Sequence, residues 1–161
     1  MDIINASATF TRPADTTAYA SGDLVANSTT AGSVTPMSFT VTGIRNGGFI
    51  LRRVKLAKSG TSTTNALFRI HFYAASPTIA NGDNGAYSTS GVADYLGAFD
   101  ITVDRAFTDG ACGIGTPVSG FDMVRKVSGG QIIYALTEAR GAYTPASSEV
   151  FTVTLEDLQT I

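Results

Sequence analysis

Alternation of apolar and polar residues with a period of two marks four segments of the chain as β-strands. The clearest runs from Phe68 to Tyr73, where every second residue is a large apolar one. This period is expected of a strand that buries one face and exposes the other. The apolar side of the other three segments comprises Ile50, Val54 and Leu56; Ile132, Tyr134 and Leu136; and Phe151, Val153 and Leu155.

Five further segments are rich in β-branched or aromatic residues and are bounded by turn-forming residues, which also predicts strands. The chain therefore has about eight or nine predicted strands. Helical periodicity is absent, although residues 90–96 have the composition of a short helical turn. The five segments are Ala8 to Arg12, Leu24 to Asn27, Met37 to Thr42, Tyr95 to Val103 and Phe121 to Val127.

The connections between these segments indicate the fold class. Ser128-Gly129-Gly130 stands between two predicted strands and favours a hairpin turn. Residues 77–91 and 107–120 are predicted connections too long for hairpins, as expected where strands cross between sheets. We therefore expect an all-β fold, an antiparallel β-sandwich of jelly-roll-like topology, with a closed barrel as the alternative. The length of 161 residues fits one domain over residues 1–161.

Composition limits the partners of this domain. Charged residues make up 15% of the chain, against about 25% in typical domains. The net charge of −2 and the lack of a basic stripe argue against nucleic-acid binding. The first residues do not resemble a signal peptide, and no apolar stretch has the length needed to span a bilayer, so we expect synthesis in the cytoplasm and no membrane contact.

Residue types that carry chemistry are scarce. His71 and Cys112 are the single histidine and cysteine, so no intrachain disulfide can form and neither a zinc site nor a Cys-His nucleophile has support. Residues 81–85 contain the oxygen ligands of a calcium loop but lack its acidic spacing, which favours a plain turn. Glu138 and Glu149 flank one loop and form the single carboxylate pair worth testing for catalysis. We expect no enzyme activity and no cofactor.

Three stretches of the chain resemble a family of small phage proteins usually encoded near the major capsid protein. They are Ala8 to Ser28, Leu51 to Gly60 and Phe68 to Thr78. The resemblance implies a capsid decoration (cement) protein of β-sandwich or jelly-roll type on the outer surface of a tailed-bacteriophage virion. It further implies the major capsid protein as partner and a homotrimer at three-fold positions.

Docking of this kind depends on buried area and shape complementarity, and interface cores are enriched in aromatic residues and arginine. On that basis we expect Arg12, Arg52, Arg69 and Tyr73 to form subunit or capsid contacts. The polar segment 1–20 is expected to extend as an N-terminal arm onto a neighbour.

Two alternative functions come from other classes. A fibre, spike or tail adhesin would recognise a host-surface glycan through Tyr87, Tyr95 and Tyr143. A small hydrolase would use Glu138 and Glu149, although histidine partners for such a pair are missing.

Overall fold

The computed structural model describes residues 3–42, 47–120, 122–126 and 131–160 of the chain. These residues form eleven strands and two short 3₁₀ turns, Ala31–Ser33 and Val92–Asp94. In chain order the strands are β1 (Ile3–Thr11), β2 (Leu24–Val25), β3 (Met37–Val41), β4 (Gly48–Lys58), β5 (Leu67–Tyr73), β6 (Tyr95–Thr102), β7 (Arg105–Phe107), β8 (Gly110–Pro117), β9 (Met123–Lys126), β10 (Gln131–Ala139) and β11 (Val150–Thr160).

The strands form one curled antiparallel sheet in the order β1-β11-β4-β8-β6-β5-β10-β2. Off this path, β3 pairs with β10, β7 with β8 and β9 with β4. The predicted all-β, antiparallel, sandwich-like fold is confirmed, with more strands than the eight or nine expected. Within the described residues, no helix is long and apolar enough to cross a membrane.

The sheet folds back on itself around one main core. Phe68 on β5 and Phe151 on β11 make an edge-to-face contact with ring centroids 5.5 Å apart, although these strands are not neighbours in the sheet. Ile70 and Phe72 are fully buried beside Phe68, as the alternation predicts. Each such side chain contributes roughly 1.5–3 kcal/mol through burial.

The side of β10 that faces the core is the opposite of the predicted one. Ile133 and Ala135 are fully buried in the main core, whereas Ile132 is 45% exposed. Leu136 instead packs with Leu24 in a second, smaller cluster outside the sheet, covered by Ile79 and Tyr87 of the long connection and by Val34. Apolar residues therefore occupy both faces of β10, and the period of two alone does not tell which face is inside.

Strand β4 changes its buried side along its length. Phe49 and Leu51 are fully buried at one end, and Val54 and Leu56 at the other, so the buried positions shift from odd to even. The shift falls at residues 52–53, where both side chains are exposed and the hydrogen-bonded neighbour changes from β9 to β8. The predicted apolar side of Ile50, Val54 and Leu56 is therefore correct for Val54 and Leu56 and wrong for Ile50, which is only half-buried.

The five weaker strand predictions all coincide with strands, and the helical turn at residues 90–96 is confirmed by the Val92–Asp94 turn. The connection predicted at residues 107–120 is wrong, because β8 occupies most of it. The turn predicted at residues 128–130 lies outside the described residues. The strands on either side of it, β9 and β10, pair with different neighbours.

The N-terminal segment packs on its own domain. Strand β1 pairs with β11 from Ile3 to Thr11, and the following Arg12 and Tyr19 are buried. The described part of segment 1–20 is therefore integral to the domain, and the expectation of an extended arm is wrong for residues 3–20.

Candidate functional site

Exposed large apolar side chains concentrate on one outer face of the sheet, formed by β5 to β8. Ile114 is 46% exposed at its centre and Phe107 is 54% exposed at the β7 edge. Elsewhere in the described residues, the exposed large apolar side chains are Ile3, Val92, Val124 and Ile132. We call this surface the β5–β8 face, and its exposed apolar residues are Leu67, Tyr95, Phe107, Ile114 and Val118.

The strand register places these residues on the same side of the sheet. Arg69 pairs with Asp100 and Asp100 with Thr116, so their side chains form one row across three strands. Leu67 lies two residues before Arg69, and Ile114 lies two residues before Thr116. Since side chains two apart in a strand share a face, Leu67 and Ile114 project outward with this row. Phe107 pairs with Gly110, four residues before Ile114, and Tyr95 pairs with Tyr73, four residues after Arg69, so both lie on the same side.

Glycines on β8 let this strand lie close against β6. A Cβ atom at Gly113 would collide with the carbonyl oxygen of Thr102, and one at Gly115 would collide with the side chain of Ile101. Because both glycines point inward, β8 bonds to β4 along one stretch and to β6 along another. The two layers are thereby joined under the β5–β8 face.

The face carries two shallow depressions instead of a deep cleft. One, of about 420 Å³, is lined by polar and apolar side chains that include Asp100, Arg105 and Ile114. The other, of about 260 Å³, lies beside Phe107 and Lys55. Such depressions can receive single side chains of a partner surface, as interface pockets do.

Cys112 lies half-buried between the two depressions, on β8. His71 lies on β5, and β6 runs between the two strands. The structure does not bring the thiol and the imidazole together, so it gives no Cys-His pair. No group of three or more histidine, cysteine, aspartate or glutamate residues able to hold a metal occurs among the described residues.

His71 forms the centre of a polar cluster beside the β5–β8 face. Its Nε2 lies 2.7 Å from Glu138 Oε2, and its Nδ1 lies 3.0 Å from the hydroxyl of Tyr95. The ring stacks on Tyr87 with centroids 4.4 Å apart. Burial lowers the pKa of His71, although the hydrogen bond that its Nε2–H donates to the Glu138 carboxylate opposes this shift. The cluster fixes the orientation of Tyr95, which is 43% exposed.

Arg69 is the residue of the predicted interface set that lies on the β5–β8 face. Its guanidinium makes two hydrogen bonds to the carboxylate of Asp100, of 2.6 and 2.8 Å. This fork lowers the pKa of Asp100 through the hydrogen bond from Arg69. Arg52 is also exposed, but it lies on β4 in an ion pair with Asp122, 2.9 Å long.

Tyr73 is buried, so its predicted role as an exposed contact residue is wrong. Its hydroxyl lies 2.8 Å from the hydroxyl of Tyr87 and 2.8 Å from that of Thr89. These bonds attach the connection of residues 77–91 to the end of β5. Tyr73 therefore holds this long connection in place.

Arg12 is also buried, with no exposed side-chain surface. Its Nη2 donates to Asp83 Oδ2 at 3.0 Å and its Nε donates to the hydroxyl of Tyr19 at 2.8 Å. Tyr19 in turn donates to Asp83 Oδ1 at 2.7 Å, as does the backbone N–H of Ala26 at 2.8 Å. The predicted contact role of Arg12 is wrong, and Asp83 in the turn at residues 81–85 accepts hydrogen bonds from protein donors.

The carboxylates of Glu138 and Glu149 belong to separate clusters. Glu149 is buried, where it accepts hydrogen bonds from Lys58 at 3.2 Å and from Tyr143 at 2.7 Å. Glu138 bonds to His71 and to Arg140. The structure thus provides no shared cleft for this pair. It also buries Tyr143, which removes one of the three tyrosines expected of a glycan site.

The sequence analysis named Tyr95 of the β5–β8 face but missed its other exposed apolar residues, Leu67, Phe107, Ile114 and Val118. Leu67 is an apolar residue on the side of its strand where the alternation predicts polar ones, opposite to Phe68. This mismatch in the sequence could have identified it as an exposed apolar residue. Ile114 lies between two glycines in a segment that resembles a loop, so no strand pattern marks it. No protein-family model matches the chain, and no curated protein matches it, so the family resemblance stays a prediction.

Proposed function

We propose that this protein is a capsid decoration protein that binds the major capsid protein on the outer surface of a phage capsid. The observation that carries the proposal is the concentration of exposed apolar side chains on the β5–β8 face. Exposed apolar side chains grouped on one face and surrounded by polar residues are typical of protein–protein interaction sites. The resemblance to small phage proteins implies the capsid as the partner.

The charges on the face suit protein docking. Arg69 and Asp100 neutralise each other in a two-bond fork between Leu67 and Ile114. A paired charge with its hydrogen bonds already made costs less to desolvate than an isolated one. The face therefore offers apolar contact area without requiring a partner charge at its centre.

The buried ionisable groups support a role without catalysis. Asp83 and Glu149 each accept several hydrogen bonds from neighbouring side chains inside the protein. The acceptor atoms of groups in such closed networks are occupied by protein donors and are not open to a substrate. The resemblance adds the expectation of a homotrimer.

Glycan recognition remains the alternative, and one observation favours it. Tyr95 is partly exposed, is oriented by His71, and lies near the fork of Arg69 and Asp100. An aromatic ring beside fixed hydrogen-bonding groups is a common arrangement in sugar sites. Against this alternative, Tyr87 is mostly covered and Tyr143 is buried.

Capsid binding by variants of the face tests the proposal. We expect Phe107→Asp and Ile114→Asp each to weaken binding to expanded capsids by about tenfold or more, because a charge replaces a contact worth about 1–2 kcal/mol. Co-sedimentation across a concentration series gives the affinity and the number of copies bound. Ile132→Asp is the matched control, since Ile132 is 45% exposed on β10, where it pairs with Thr40 of β3 and not with a strand of the face.

Unchanged capsid binding by both face variants would contradict the use of this face. Absence of any binding by the wild-type protein would contradict the capsid role itself. Binding to a glycan array that Tyr95→Ala abolishes would establish the alternative.

A further inference from the structure

The polar cluster around His71 contains a hydrogen-bonded chain of three side chains that docking does not use. His71 connects the hydroxyl of Tyr95, at 3.0 Å, to the carboxylate of Glu138, at 2.7 Å. A carboxylate only accepts hydrogen bonds, and the second oxygen of Glu138 accepts one from Arg140 at 2.9 Å. The hydrogen of the neutral imidazole therefore lies on Nε2. Its Nδ1 accepts the hydrogen bond that the Tyr95 hydroxyl donates.

The surroundings of His71 keep its ring neutral and able to accept a proton. Burial holds the pKa of His71 below its ordinary value of 6.5, so Nδ1 keeps its lone pair at pH 7. The charged groups that act on the ring are Glu138 on β10, Arg69 on β5 and Asp100 on β6. If His71 takes the proton of Tyr95, the Glu138 carboxylate stabilises the imidazolium that forms.

A β-bulge on β6 turns Tyr95 towards this chain. The register with β5 shifts between Gly97 and Tyr95, which makes Leu96 the extra residue. Gly97 has a φ of +133°, a conformation that glycine adopts without the strain a side chain would bring. Leu96 packs against the main core, whereas strict alternation would turn it outward and Tyr95 inward. Bulges are common next to active sites because they re-aim a side chain in this way.

Tyr95 is accessible from outside the protein. It is 43% exposed and lies on the outer side of the sheet. It is the exposed one of the six tyrosines of the chain. The other five are buried or half-buried, and they are Tyr19, Tyr73, Tyr87, Tyr134 and Tyr143.

We propose that Tyr95 is a nucleophile that takes an acyl group from an activated ester, with His71 as its general base. A nucleophile that is hydrogen-bonded to a base, which a third group orients, is the arrangement that activates hydroxyl groups in proteins. Glu138 is the positioning residue, since it fixes the tautomer and the orientation of His71.

The transfer is a substitution at the acyl carbon. The phenolic proton passes to His71 Nδ1 while the Tyr95 oxygen forms a bond to that carbon. The bond from the carbon to the leaving group then breaks, and the leaving group departs with the electron pair and takes up the proton from His71. The products are an aryl ester on Tyr95 and a free alcohol, phenol or thiol.

The open position of Tyr95 favours one transfer per chain, which makes it a site of covalent modification. Aryl esters and thioesters are the donors expected, because their leaving groups depart readily. This reactivity is independent of capsid binding, so its absence would leave the capsid role intact.

Acetylation by p-nitrophenyl acetate tests the proposal on the full chain. Peptide mapping by mass spectrometry follows the rate at Tyr95 separately from the rates at lysines, at Cys112 and at Tyr134. We expect Tyr95 to react about a hundredfold faster than N-acetyltyrosinamide at pH 7, the usual contribution of a general base. His71→Gln, which can form hydrogen bonds but is not a base, should remove this advantage. Tyr134→Phe is the matched control and should leave the rate at Tyr95 unchanged.

The pH dependence of the rate distinguishes a base from a histidine with a structural role. A phenol without a base reacts as its phenolate, so its rate rises about tenfold per pH unit below its pKa. Burial raises the pKa of Tyr95, which makes its phenolate scarce at neutral pH. With His71 as the base, the rate at Tyr95 should be nearly constant between pH 7 and pH 8.5, because His71 is neutral throughout. Glu138→Gln should lower the rate but keep it constant over this range.

Two results would overturn the proposal. One is a rate at Tyr95 of the wild-type protein that rises about tenfold per pH unit, as for an unassisted phenol. The other is an equal rate in the wild-type protein and in His71→Gln, with thermal unfolding showing that the variant is folded. The wild-type profile needs no variant, so the test is decisive even if His71→Gln does not fold.

Discussion

Arg12 is a charged side chain that lies in the interior of the protein and is paired there. The guanidinium connects the end of β1 to Asp83 in a turn more than seventy positions away, and Tyr19 bridges the two. All three side chains are buried. A buried ion pair of this kind contributes little net stability, but breaking it is costly because one charge is left without a partner.

Removing Arg12 should therefore destabilise the fold strongly. We expect Arg12→Met to lower the free energy of unfolding by about 3–5 kcal/mol, because Asp83 keeps its charge without its cationic partner. Arg52→Met, which breaks an exposed pair with Asp122, should change it by no more than about 1 kcal/mol. Urea unfolding of the two variants measures the difference. Similar decreases in the free energy of unfolding of both variants would show that the buried network contributes no more than the exposed ion pair.

His71 makes stability depend on pH in a defined direction. Its pKa in the folded protein lies below the ordinary value of 6.5, chiefly because of burial. The unfolded chain therefore binds a proton at His71 at a higher pH than the folded chain does. The contribution of His71 to the free energy of unfolding is fully present above pH 6.5 and declines as pH falls towards the folded pKa.

The corresponding prediction compares the wild-type protein with His71→Gln. The stability difference in favour of the wild type should shrink between pH 7.5 and pH 5.5, as measured by urea unfolding at both values. Titration of groups that do not contact His71 is common to both proteins and cancels in the comparison. A difference that stays constant or grows would mean that His71 is not held in its neutral form.

At the scale of elements, β8 shows why a glycine-rich segment can be a strand. Gly113 and Gly115 look like loop residues in the sequence, but they permit the close approach of β8 to β6. A strand whose glycines are required by a neighbouring backbone has no propensity signal of its own. This is the reason that residues 107–120 were predicted as a connection.

Substitution of Gly113 tests that account. Gly113→Ala should destabilise the protein by about 1–3 kcal/mol, since its Cβ meets the backbone of Thr102 and Val103 and not a movable side chain. Gly32→Ala is the matched control, because nothing lies within 4 Å of a Cβ there, and it should be nearly neutral. Thermal unfolding compares the two. Equal melting temperatures would show that β8 moves away from β6 at little cost.

The strands with one buried face were predictable, and those with two covered faces were not. From Leu67 to Phe72, β5 has core on one side, so its alternation reports burial directly. On β10, Leu136 is buried outside the sheet by the connection of residues 77–91. That covering is a tertiary contact, and no local pattern reveals it.

For the molecule as a whole, the fold class followed from the sequence while the candidate surface did not. Strand periodicity and the lack of helical segments were sufficient for an antiparallel sandwich. The predicted contact residues Arg12 and Tyr73 were chosen by residue type, which does not distinguish an exposed side chain from one buried in a network. The exposed apolar residues of the β5–β8 face come together through the register of its strands, which no pattern in the sequence reveals.

The position of β11 between β1 and β4 affects how the protein folds during synthesis. Every strand that β11 contacts leaves the ribosome earlier, yet within the described residues β1 pairs with the sheet through β11 alone. The long β4 must therefore wait with one edge unpaired until β11 has been synthesised. Completion of the sheet is a late, non-local step, of the kind that makes β proteins slow to fold and prone to aggregate when synthesis is fast.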